Sequence, residues 1–114
     1  MSNIPDFDQT ELEVIHSALQ KRYKRDVDIQ LADSEVKLDP TTPVLTLCPT
    51  VFWKVDEVSF VILKTDTSRY RGQFFYADLE FHGTRLSEYG NLSDCVMGLL
   101  RAQADHDLDR KLYG

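Results

Sequence analysis

Thr50-Val51-Phe52-Trp53-Lys54-Val55-Asp56-Glu57-Val58-Ser59-Phe60-Val61-Ile62-Leu63-Lys64 is the stretch on which the fold turns. It is rich in β-branched and aromatic residues, and the acidic dipeptide Asp56-Glu57 interrupts it at the middle, so it reads as a β-hairpin. A two-residue loop sets Val55 against Val58, Trp53 against Phe60 and Val51 against Ile62. All six apolar side chains then share one side of the sheet. The dipeptide lacks the glycine of the tightest turns. The other side carries Phe52, Lys54, Ser59, Val61 and Leu63.

Working outward, the period of two continues in both directions. Upstream, Val27, Ile29 and Leu31 alternate with Asp28 and Gln30, and Val36 and Leu38 alternate with Glu35 and Lys37. These predict two strands joined by a turn at Ala32-Asp33-Ser34. A loop at Asp39–Pro43 and a short segment from Val44 to Cys48, ended by Pro49, follow. Downstream, Thr65–Arg69 is a polar turn, and Tyr70 to His82 reads as one long strand. Its odd positions Phe75, Ala77, Leu79 and Phe81 are apolar. Its even positions pass from the aromatic Tyr70, Phe74 and Tyr76 to the polar Asp78, Glu80 and His82. Gly72 is read as the mark of a bulge.

Helices flank the strands. Asp8 as N-cap, Glu11 three residues on, and Phe7 with Leu12 as a staple start the first helix, whose Leu12, Ile15, Leu19 and Tyr23 share a face, with His16 beside them. Asn91 or Ser93 caps the second, whose Leu92, Cys95, Val96 and Leu99 share a face. Acids from Asp105 onward oppose the dipole of that helix and predict fraying before Tyr113. The expected architecture is α+β in the order α-β(4-6)-α: N-terminal helix, antiparallel sheet of four to six strands, C-terminal helix. Residues 1–114 suffice for one domain.

Composition narrows the function classes. With 42% hydrophobic and 28% charged residues, the chain lies near the globular average. A net charge of −6 repels phosphate backbones at long range. The basic run Lys21–Arg25 is read as complementing a helix terminus. Arg71-Gly72-Gln73-Phe74-Phe75-Tyr76 is similar to the strand signature of RNA-recognition motifs, but Gln73 stands where the first aromatic belongs and the element order differs. The helix–strands–helix order is similar to that of double-stranded-RNA-binding domains, yet Asp94 opens the second helix where those domains place bases. Nucleic acid is therefore not an expected partner. The N-terminus has neither a basic start nor an apolar run, and no apolar stretch approaches a membrane span, so cytoplasm without membrane attachment is expected.

No phosphate-cradling glycine loop, nucleophile elbow or helical zinc motif occurs. Neither a cofactor nor a metal is expected. Cys48 and Cys95 read as buried thiols, His16 as a core or boundary residue, and Asp105, His106, Asp107 and Asp109 as a solvated tail.

The informative anomaly is a sheet apolar on both faces. Two helices can cover both faces if one packs on each side; if both pack on the same side, the remaining face is a large apolar patch that needs another chain. The leading expectation is a non-catalytic accessory or adaptor protein, binding a protein partner or a second copy of itself through Tyr70, Phe74, Tyr76 and His82. The alternative is a small-molecule-binding protein or small enzyme with a pocket between sheet and helix, lined by Cys48, Trp53, Tyr76 and His82.

Overall fold

The structure is a computed structural model and describes residues 4–76, 81–84 and 86–113. Helix α1 (Gln9–Tyr23) leads into strands β1 (Gln30–Val36), β2 (Thr46–Val55), β3 (Val58–Asp66), β4 (Arg69–Phe75) and β5 (Phe81–Gly83), and helix α2 (Leu92–Tyr113) closes the order. The strands form one antiparallel five-stranded meander, β1-β2-β3-β4-β5.

Local chemistry sets the helix ends. The Glu11 N–H donates to Asp8 Oδ1 (2.8 Å) and the Asp8 N–H to Glu11 Oε1 (2.9 Å), a complete capping box. At the other end Lys24 turns into the left-handed region at φ 59° and its N–H reaches Gln20 O (2.8 Å). Asn91 caps α2 by accepting the Asp94 N–H at 3.1 Å. Among the described residues, no helix is long and apolar enough to cross a membrane.

The central hairpin has the expected register, with Val55 opposite Val58, Trp53 opposite Phe60 and Val51 opposite Ile62. Asp56 adopts φ 56° and so supplies the left-handed backbone that glycine commonly provides.

Four expectations about the strands are corrected. Ala32-Asp33-Ser34 is not a turn: it pairs with Thr50, Pro49 and Cys48 inside a continuous β1. Pro49 does not end a strand but lies within β2, where the pairing to β3 has yet to begin at Thr50 and no second ladder needs its missing N–H. Tyr70–His82 is not one strand, because β4 and β5 are partners, with Phe74 opposite His82 and Phe75 opposite Phe81. Ala77, Asp78, Leu79 and Glu80, assigned to that strand, lie outside the described residues. The bulge falls at Lys64/Asp66 rather than at Gly72. Gly72 instead lies where α2 packs tightly on the sheet: a Cβ there would meet Leu99 Cδ2 at 3.3 Å and Cys95 Sγ at 3.4 Å. Helix α2 also runs unbroken to Tyr113 past its acids, with Asp107 and Lys111 paired at 3.2 Å.

Both helices cover the same face. Ile15 and Leu19 from α1, and Cys95, Val96 and Leu99 from α2, join one buried cluster with Val51, Trp53, Phe60, Ile62 and Phe74 of the sheet. His16, by contrast, is exposed: it faces away from Ile15 and Leu19 and takes no part in the core. Trp53 stacks on Phe60 with ring centroids 5.2 Å apart, and its Nε1 has no acceptor among the described residues.

Candidate functional site

The aromatic residues singled out on the 70–82 segment turn inward. Phe74 is 1% exposed, and Tyr70 and Tyr76 are also buried beneath the helices. As surface contacts for a partner these three are corrected: their positions share the core-facing side of β4 and its continuation, because alternation puts them in phase with Gly72 under Leu99. His82 is half-buried and stacks on Phe74 at 5.2 Å. It also lies 4.0 Å from the His106 ring of α2, and His106 Nδ1 is 3.3 Å from the Tyr76 hydroxyl. Arg110 covers the Tyr76 ring at 4.1 Å. The group ties β5 to α2. Among the described residues no set of three or more His, Cys, Asp or Glu side chains is arranged to hold a metal.

The four residues of the alternative pocket are not brought together. Tyr76 and His82 are neighbours at 6.1 Å, and Trp53 is locked in the core, but Cys48 lies on the opposite side of the sheet. A cleft of about 400 Å³ does open between the β2–β3 turn and α2, yet of the four only Tyr76 lines it. Burial pushes the Cys95 thiol up to about 12 and raises Cys48 as well, against the opposing pull of Arg71, so neither is an activated nucleophile.

Sequence reasoning missed two polar clusters. Buried Lys64 donates to Glu11 Oε1 (2.8 Å) and to the Asp6 carbonyl (3.2 Å), while the Tyr70 hydroxyl donates to Glu11 Oε2. At the same end of β4 but on the opposite face, Glu88 accepts from Thr65 Oγ1 (2.9 Å), Arg71 Nε (3.1 Å) and Arg69 (3.2 Å). Burial works to raise the Glu88 carboxyl, but these hydrogen bonds outweigh it and hold the group below the usual carboxylate range. The only signal for either cluster was a charged residue at a core-phase or mid-strand position.

What remains is the face no helix covers. Its central row runs Gln30, Phe52, Val61, Gln73 and Gly83 across the five strands, flanked by a row containing Thr50, Leu63 and Arg71 and another containing Lys54, Ser59, Phe75 and Phe81. Phe52, Val61, Leu63 and Phe75 are half-buried by one another, and Phe81 is 57% exposed beside Phe75, their rings 4.7 Å apart. The acidic groups on this face gather at one end of it: Glu88 meets Arg69 and Arg71, and Asp66 of β3 pairs with Arg69 across the ladder. Asp33 and Glu35 of β1 occupy the other phase. Away from that end the face is a contiguous apolar patch on a chain of net charge −6. Comparison with protein-family models, curated proteins and solved structures gives no match to this chain.

Proposed function

We propose that the chain is a non-catalytic protein-binding module that associates with a second copy of itself through the open face of its sheet. The observation that carries this reading is the apolar patch of Phe52, Val61, Leu63, Phe75 and Phe81, spread over three adjacent rows on the side opposite both helices. Strands about 4.8 Å apart and about 25 Å long give this face roughly 500–600 Å², hence about 1,000–1,200 Å² in a pair, the lower end of specific interfaces. The carboxylates of this face, Glu88 and Asp66, lie at one end beside Arg69 and Arg71 and leave its apolar centre uncharged, and sheets pack face to face about 10 Å apart over interdigitated apolar side chains. Two buried free thiols suit a reducing compartment and support a cytoplasmic location.

Sedimentation equilibrium across a dilution series tests this. The wild type is expected to move from dimer to monomer in the micromolar range, and Val61→Glu to remain monomeric and folded. A wild type that stays monomeric at several hundred micromolar overturns the reading.

A further inference from the structure

Away from the open face, α1 and α2 leave a groove between them of about 380 Å³, within the range of small-molecule sites. Its floor is Ala18, Met97, Leu100 and Ala104, and its rim is Lys21, Arg22 and Arg101. Three features set it apart. The floor is wholly apolar, and Met97, the most adaptable side chain in it, is 53% exposed. The rim holds cations from two helices and no acid, although acids outnumber bases in the chain by 19 to 13. Lys21 and Arg101 make no ion pair among the described residues.

Bases in the last turn of α1 complement its dipole, which accounts for Lys21 and Arg22. It does not account for Arg101, which sits mid-helix in α2 and converges on the same groove. The geometry points to a binding site for a single-chain amphiphile with an anionic head, a long-chain carboxylate: the tail lies along Ala18, Met97, Leu100 and Ala104, and the head is held by Lys21, Arg22 and Arg101. An acidic amphipathic helix suits the groove less well, because it would run alongside Asp94 and Asp105, which flank the exposed Met97 edge with Arg101.

The probe is dodecanoate, kept below its micelle concentration and titrated calorimetrically into the full chain, with dodecyltrimethylammonium as a control of equal tail length. One saturable site for dodecanoate and none for the cationic probe is expected. Lys21→Gln/Arg101→Gln should weaken binding about tenfold, as two partly screened charge contacts would. Ala104→Trp should abolish it by filling the floor while circular dichroism stays unchanged. Absence of saturable dodecanoate binding, equal binding of the cationic probe, or indifference to both variants overturns the proposal. Two other results also overturn it: binding only to phosphatidylglycerol vesicles assigns the groove to a membrane surface, and binding only to an acidic helical peptide assigns it to a protein.

Discussion

Lys64 Nζ lies 2.8 Å from Glu11 Oε1, so a strand residue 3% exposed is neutralised by the same carboxylate that completes the N-terminal cap of α1. One side chain thereby fixes the start of the helix and its seat on the sheet. Buried ion pairs are costly to break from one side, since the remaining charge stays without compensation.

Glu11→Gln is therefore expected to cost about 3–5 kcal/mol. Lys64→Met, which leaves the capping carboxylate intact and accepting from Tyr70, should cost less. Urea denaturation of both variants checks the order, and a larger loss for Lys64→Met would refute it.

Asp8→Ala removes the acceptor of the Glu11 N–H while leaving the Lys64 pair in place. The expected loss is about 0.5–2 kcal/mol without change of fold. A denaturation midpoint equal to that of the wild type would contradict this role.

Phe74→Glu places a carboxylate in a site 1% exposed and should unfold or aggregate the chain, as circular dichroism would show. Phe81→Glu, on the open side and 57% exposed, should leave the fold intact and weaken self-association. The pair of variants separates the two faces of the sheet in one comparison.

Alkaline stability follows from the raised groups. The Cys95 thiol is pushed up to about 12 from an ordinary value of 9.0 by burial, and Tyr70 is raised by burial and by Glu11. A group whose folded value is raised contributes fully below its unfolded value, and that contribution is lost as pH climbs toward the folded value. Stability should thus fall from about pH 9 upward, and Cys95→Ala should make the fall shallower by up to about 1.4 kcal/mol per pH unit. Denaturation midpoints between pH 8 and 11 provide the measurement. In the folded state at neutral pH, both cysteines should resist alkylation.

The register of the central hairpin was legible because Val55 and Val58 have opposite parity: a two-residue loop shifts the alternation, and the shift is visible in the chain. The β4–β5 connection was invisible for the converse reason. There, even-numbered residues pair with even-numbered residues, so the alternation of a hairpin runs on as it would in one long strand. Ala32-Asp33-Ser34 misled in another way, since polar residues on a strand with a single partner need no turn to explain them. Which face each helix takes was never encoded in periodicity. It depends on Gly72 admitting Leu99 and on the Lys64–Glu11 bridge, both long-range. The open surface was therefore readable only as one branch of an alternative, and the α1–α2 groove was not readable at all.

The meander also bears on how far the proposed association could go. Its last strand has three residues, and beyond them Tyr89 closes on Tyr70 through paired backbone bonds of 2.8 Å, while the first strand carries Asp33 and Glu35 along its free border. Such borders discourage the addition of further strands. With one broad face already covered by its own helices, the proposed two-fold contact would use the other face and consume it. On that proposal stoichiometry is limited by shape: assembly would close at a pair, with no route to a filament.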